Sequence, residues 1–339
     1  FSIFKRFETF NLYAVNNEGM FTHECVVLET PDPTIELLTG EKYSYAIVII
    51  KNGVQEVYAT KLDKLTHEKM FTGWNNLSLP RSIGVNVNGL SAKRYVMLKE
   101  KYVLTDVSED VIKLRRHKTV EQANCITKAA QCTDTILKEF CMLPKGVITS
   151  EIEAKLWIEK QMYLRGMEPA YPVIVASGKN SAVPHHIPTN EWNDGPVLID
   201  AGARYKGYCS DMTRMFDNGM TQKQKDEYTM LLGIQEHTLR MLKKGVSYSE
   251  LHKFVQSALG KDKEYFTHSL GHGIGIEVHE EPRVGLTSKD SIEVGDVFTI
   301  EPGVYYENYG FRVEDTVFFD GTPRILTKHT KELLSLFKP

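Results

Sequence analysis

Val197–Phe216 reads VLIDAGARYKGYCSDMTRMF. Val197, Leu198 and Ile199 open it as a buried strand should, and Asp200 stands next in line. A second acid, Asp211, precedes another run with apolar residues, Met212, Met215 and Phe216. Carboxylates are rarely buried unless they are paired or bind a metal. Two acids in one core hairpin therefore need an answer elsewhere in the chain.

The answer is a second copy of the pattern, VFTIEPGVYYENYGFRVEDTVFF at Val297–Phe319. Asp200-Ala201-Gly202 aligns with Glu301-Pro302-Gly303, and Tyr205 with Tyr306, each five residues past its acid. Asp211-Met212-Thr213 aligns with Glu314-Asp315-Thr316, and aromatic residues close both copies. Each copy reads as a β-hairpin. Closed without a bulge, Asp200 would face Asp211 and Glu301 would face Glu314, with Cβ atoms about 4.5–5.5 Å apart. Carboxylates that close raise each other's pKa and destabilise the fold, and a divalent cation removes the conflict. One pair alone leaves a proton-sharing dyad open. Two pairs with a histidine fit a two-metal site better, and an oxygen-rich ligand set favours Mn²⁺ or Co²⁺.

Candidate histidines lie in FTHSLGHGIGIEVHEEP, where His268, His272 and His279 sit among Gly271, Gly273 and Gly275. The glycines allow close backbone approach. They are no dinucleotide fingerprint, because GxGxxG fails at Ile276, and Arg283 stands where an HExxH zinc helix would place its second histidine. His185 and His186, in SGKNSAVPHHIPT, add a loop pair flanked by prolines. Arg312 lies two residues before Glu314 and shares its face on a strand. There it is expected either to grip a ligand carboxylate by a bidentate bond or to be an ordinary surface arginine.

The rest of the chain frames this half. At 339 residues, two domains are expected. A net charge of -3 gives no reason to expect nucleic acid or an anionic membrane surface as partner. No apolar run approaches the roughly 20 residues that span a bilayer, and FSIFKRFETF carries no signal-peptide pattern. Five scattered cysteines form no CxxC pair and suggest a reducing, cytoplasmic setting. Cys209, beside the acids, reads as a small apolar filler. Residues 1–111 read as a small N-terminal α/β domain, with a hairpin about Asn52-Gly53 and a helix-favouring KLDKLTHEKM. RSIGVNVNG follows as a strand candidate and LSAKRYVMLKEK as a helix. Residues 112–339 read as a mixed α/β (α+β) domain. Its longest helical pattern is SEDVIKLRRHKTVEQANCITKAAQCTDTILKEF, with the charge run LRRHK taken as a solvated face. Ser150 and Glu153 form a capping-box pattern for the next helix.

Taken together, Asp200, Asp211, HGxG with a following VH, EPG and RxEDT resemble the pita-bread metallopeptidases: methionine aminopeptidases, aminopeptidases P and prolidases. The resemblance spans about residues 112–339, and the N-terminal domain with VASGKNSAVPHH and GHGIGIEVHEEP is most similar to prolidases. It implies a pita-bread domain with an internal pseudo-two-fold repeat. It also implies two divalent ions per subunit, Mn²⁺ or Co²⁺ with Zn²⁺ as the alternative, held by Asp200, Asp211, His272, Glu301 and Glu314. His185 and His279 would contact substrate and steady the tetrahedral intermediate, with His268 nearby. Glu301 would shuttle the proton. The implied activity is hydrolysis of the bond before proline in Xaa-Pro dipeptides by a homodimer. Aminopeptidase P, methionine aminopeptidase and a non-catalytic binding module on the same fold are the alternatives.

Overall fold

A computed structural model describes residues 21–63 and 68–336, so the opening stretch FSIFKRFETF lies outside the described residues. Contacts divide the chain into two units, the first ending at Arg115 and the second starting at Arg116. The division falls four residues beyond the position expected from sequence.

The first unit carries β1 (Cys25–Glu29), α1 (Thr34–Thr39), β2 (Ala46–Lys51), β3 (Val54–Ala59), β4 (Lys69–Met70), β5 (Ser82–Val85), α2 (Ala92–Lys99) and β6 (Val103–Asp106). The strands form one sheet in the order β4-β3-β2-β1-β5-β6. Asn52 and Gly53 have φ of 49° and 76°, the left-handed pair that a two-residue turn joining β2 to β3 demands. The helix expected in KLDKLTHEKM is absent among its described residues. Lys61–Asp63 turn, and Lys69–Met70 add a strand paired in parallel with Tyr58–Ala59.

The single long helix expected over 108–140 is two: α3 (Ser108–Arg116) and α4 (Val120–Phe140). Thr119 caps α4 in a full capping box with Gln122, worth about 1 kcal/mol. The charge run causes the break, and it is no solvated face. Arg116 binds Asp296 and Asp290 at 2.9 Å each, His117 lies 3.3 Å from Asp296, and Lys118 binds Glu280 at 2.5 Å with both side chains buried. Three successive side chains reaching three acids cannot stay on one helical face, so the helix stops there.

The second unit is built twice. The first half is α4, α5 (Glu151–Leu164), β7 (Glu168–Pro169), β8 (Ile174–Ser177), β9 (Gly195–Asp200), β10 (Ala203–Tyr205), β11 (Tyr208–Cys209) and β12 (Thr213–Asn218). The second is α6 (Gln222–Met241), α7 (Tyr248–Leu259), β13 (Gly271–Gly273), β14 (Glu280–Val284), β15 (Val297–Ile300), β16 (Gly303–Tyr305), β17 (Gly310–Arg312) and β18 (Asp315–Phe319), followed by β19 (Pro323–Ile325) and β20 (Leu334–Ser335). Pairing β9 with β12 and β10 with β11 in one half corresponds to β15 with β18 and β16 with β17 in the other. Two cores form, and Ala176, Leu198 and Met215 of the first half join the one centred on the second. Ile136, Phe140, Ile158 and Phe216 are buried in one, and Leu231, Leu251, Phe298 and Phe319 in the other. Each such side chain contributes about 1.5–3 kcal/mol on burial.

Ser150 accepts from the Glu153 amide at 3.2 Å, but the Glu153 carboxylate turns to the Thr149 amide and hydroxyl, so the expected capping box is only half made.

Candidate metal centre and active site

The two hairpins differ in register. Asp200, the last residue of β9, pairs with Thr213, which leaves Asp211 two positions out of line on the opposite strand. The expected face-to-face pairing of Asp200 with Asp211 is therefore replaced by a diagonal one. In the other copy, Ile300 pairs with Asp315 and Gly303 with Arg312, so Glu301 and Glu314 stand opposite, as expected. The register offset has a steric partner: a Cβ on Gly202 would fall 1.9 Å from the Ser210 carbonyl oxygen.

These turns bring the acids to one place. The Tyr171 hydroxyl bridges Asp200 Oδ1, at 2.5 Å, and Asp211 Oδ1. His272, central in β13, sets Nε2 3.5 Å from Asp211 Oδ2 and 3.5 Å from Glu301 Oε1. Asp211, His272 and Glu314 each offer a ligand atom within 4.8 Å of the other two. A hydroxyl orients each of two further acids. Thr213 Oγ1 donates to Glu314 Oε2 at 2.7 Å, and Thr299 Oγ1 to Glu301 Oε1 at 3.3 Å. His272 is fixed by its amide on Thr299 Oγ1 (3.1 Å) and by Nδ1, which donates to the Gly273 carbonyl (3.1 Å). Its Nε2 therefore carries the lone pair, as a metal ligand requires.

Electrostatics show what is missing from four carboxyls and a neutral imidazole. Burial, then the Asp200 charge, pushes Asp211 well above the carboxylate range. Burial and the Asp211 charge do the same to Glu314. Burial carries Glu301 up to about 7, with Arg312 opposing and Asp200 reinforcing the rise. Burial lowers His272 to about 4, so its ring is neutral at pH 7. Arg312 supplies one positive charge against these acids. A divalent cation relieves the remainder, and the oxygen-rich donor set with one imidazole fits such an ion.

Arg312 is no surface arginine, and its guanidinium is engaged inside the protein. Its side chain is 4% exposed. It donates to Asp200 Oδ2 at 2.7 Å, Thr213 Oγ1 at 2.9 Å, Tyr305 Oη at 2.7 Å and the Pro184 carbonyl at 3.2 Å. It is an interior ion pair that orients Asp200. His268, also expected at the substrate, is turned inward as well. Nδ1 donates to the Ser269 carbonyl at 2.7 Å, so Nε2 accepts from Tyr305 Oη at 3.1 Å, and burial depresses the ring to about 4.

His185 and His279 are exposed. The His279 ring lies 4.3 Å from that of His272, edge to face, and His185 is close enough for its charge to depress both His279 and His268. His279 thus borders the acid cluster, with His185 in the neighbourhood of His279 and His268. Cys209 is a buried filler, its amide on the Gly275 carbonyl at 2.8 Å. Sequence reasoning passed over Tyr171, Thr213 and Tyr305. Thr213 and Tyr305 lie within the repeated motif and could have been found there. Tyr171 carries no local signal.

A family model described as metallopeptidase family M24 matches residues 124–320. An uncharacterised peptidase of Methanocaldococcus jannaschii is 31% identical over 332 residues, 91% of each chain. A Xaa-Pro dipeptidase of Pyrococcus furiosus is 37% identical over 237 residues, 67% of each chain. A solved Xaa-Pro dipeptidase from Bacillus anthracis matches with a TM-score of 0.83 at 28% identity, covering 92% of this chain and 95% of that one.

Proposed function

Because the chain belongs to metallopeptidase family M24, and is a metal-dependent peptidase, we propose that it hydrolyses Xaa-Pro dipeptides at the bond before proline. The observation that carries this reading is the convergence of Asp200, Asp211, Glu301, Glu314 and His272 beneath two exposed histidines. The five would hold two divalent ions, Mn²⁺ or Co²⁺ before Zn²⁺. Such ions polarise a carbonyl and acidify water.

The chain's own groups do the rest. His279, lowered by burial, is neutral at pH 7 and donates through its N–H to the carbonyl oxygen as negative charge develops. His185 faces the same substrate. Glu301 takes a proton from the attacking water and delivers it to the prolyl nitrogen. That nitrogen, a tertiary amide with no N–H, needs this proton to leave. Asp200 is oriented by Arg312.

We read the first unit as a prolidase-type N-terminal domain and the molecule as a cytoplasmic homodimer. Five free cysteines accord with a reducing compartment, and no helix among the described residues is long and apolar enough to cross a membrane.

The test is hydrolysis of Ala-Pro, Ala-Pro-Ala and Met-Ala-Ala with Mn²⁺, Co²⁺ or Zn²⁺ supplied. Cleavage of the dipeptide alone supports the proposal. Cleavage of Ala-Pro-Ala makes the enzyme an aminopeptidase P, and activity confined to Met-Ala-Ala overturns the proline reading. Silence on all three leaves a binding module. Glu301→Ala should lose one bound ion in a Mn²⁺ titration together with most turnover.

A further inference from the structure

The PHH pair leaves open which histidine serves the site, and the fold answers through a residue with no place in the acid cluster. Between β8 and β9 the loop alternates: Val183, His185 and Ile187 are exposed, while Pro184, His186 and Pro188 are half-buried. What fixes that alternation is Glu151, the first residue of α5, whose side chain is fully buried. Oε1 accepts from the Ser177 amide at 2.6 Å, Ser177 Oγ at 2.7 Å and Asn180 Nδ2 at 3.0 Å. Oε2 accepts from His186 Nε2 at 2.8 Å and from the Thr189 amide and hydroxyl at 3.0 Å each. A carboxylate only accepts, so His186 must carry its proton on Nε2.

The helix end completes the clamp. The Glu151 amide donates to the Glu191 carbonyl at 3.0 Å and the Ile152 amide to the Thr189 carbonyl at 3.1 Å. Two amides that a helix start leaves without intrahelical partners are thus satisfied by the returning loop. On its other side the loop is tied to the acid cluster through Arg312 on the Pro184 carbonyl and Ser181 Oγ on the Gly310 amide, at 2.9 Å. His185 is therefore held between two anchors, one on each flank. The His186 amide donates to the Val183 carbonyl at 3.2 Å, which closes a turn with Pro184 and His185 at its corners. Holding His186 inward fixes the end of that turn and with it the exposed corner that carries His185.

We propose that Glu151 is a positioning residue for His185: by clamping Ser177, Asn180, His186 and Thr189 it sets the loop so that His185 faces the substrate. This rests on the reading of His185 as a substrate-contacting group. Small misplacement of such a group costs up to about a hundredfold in rate, so Glu151 should act on catalysis without touching substrate or metal.

The experiment is a double-mutant cycle on the full-length, Mn²⁺-loaded protein with Ala-Pro, using Glu151→Gln, His185→Ala and the double variant. Glu151→Gln is expected to lower kcat/KM about 10- to 100-fold, and to add less than about twofold once His185 is Ala. Effects that multiply instead would show that Glu151 acts independently of His185 and overturn the proposal. His186→Ala, which removes one of the six bonds, serves if Glu151→Gln does not fold. It is expected to show a smaller loss that likewise disappears in the His185→Ala background. Hydrogen exchange supplies a second readout that needs no activity. Amides of 178–190 should exchange faster in either variant, while those of 222–241 and the Mn²⁺ titration stay as in the parent. Unchanged exchange at 178–190 overturns the proposal. Should the parent protein fail to cleave Ala-Pro, the assigned function falls, and loop exchange alone decides the clamp.

Discussion

Thr213 Oγ1 donates to Glu314 Oε2 at 2.7 Å while accepting from Arg312 Nε at 2.9 Å, so a hydroxyl of the first hairpin orients an acid of the second. The relation is returned, because Thr316 Oγ1 donates to the Asp211 carbonyl at 2.7 Å. The two threonines occupy equivalent places in the repeat. Groups one bond behind a metal ligand typically change affinity 10- to 100-fold when lost. Thr213→Val keeps the volume and removes the hydroxyl, so Mn²⁺ affinity measured by titration calorimetry should fall by about that factor. Thr213→Ser should keep parent affinity. Equal binding by the valine variant would remove Thr213 from the site's support.

Two glycines should respond oppositely to alanine. A Cβ on Gly271, next to His272, would meet the Thr299 carbonyl oxygen at 2.0 Å, and backbone cannot yield as a side chain can. Gly271→Ala should lose about 1–3 kcal/mol in urea unfolding. Gly233, inside α6, has nothing within 4 Å of its added Cβ. There alanine should gain up to about 1 kcal/mol from helix propensity. A stable Gly271→Ala protein would mean that β13 and β15 pack less closely than described.

Arg116 is 11% exposed and faces Asp296, which is fully buried. Tyr248 Oη also donates to Asp296 Oδ2, at 2.7 Å. Arg116→Ala would leave that acid without its guanidinium, a change that costs about 3–5 kcal/mol for a buried pair. A fall in Tm of several degrees is the expected result. Substituting Asp296 with Asn in the same background should restore part of the loss, since the isolated charge is then gone. A Tm unmoved by Arg116→Ala would place the pair among weak surface contacts.

Acid sensitivity should report on Glu151. Burial alone would raise its carboxyl, but bonds from Ser177, Asn180, Thr189 and His186 outweigh burial and hold it below the ordinary glutamate value of about 4.3. A depressed acid adds stability that is complete above the unfolded pKa and is lost as pH falls through the lower, folded value. Unfolding free energy should therefore drop below about pH 4.3, and Glu151→Gln should flatten that part of the profile. An identical acid limb in both proteins would contradict the shift.

Local pattern made much of this molecule legible. Asn52-Gly53 announces its turn, Thr119 and Gln122 announce a helix start, and the duplicated acid–glycine–acid motif marks both hairpins. What misled was the assumption that a helical period runs on through LRRHK and that hairpins keep one register. Arg116 meets Asp296 across 180 residues of chain, and no local spacing encodes such a partner.

The sequence by itself determined which side chains could bind metal, because the same residue types recur at nearly the same spacing in both halves and chain chemistry is fixed by composition. Tertiary structure decided how they are used. It set Asp211 diagonal to Asp200, turned Arg312 and His268 inward, inserted Tyr171 between two acids, and chose His185 over His186 for the exposed face. The physical reason is that orientation depends on which distant donors reach a buried carboxylate, and those donors become neighbours only when the two halves close on each other.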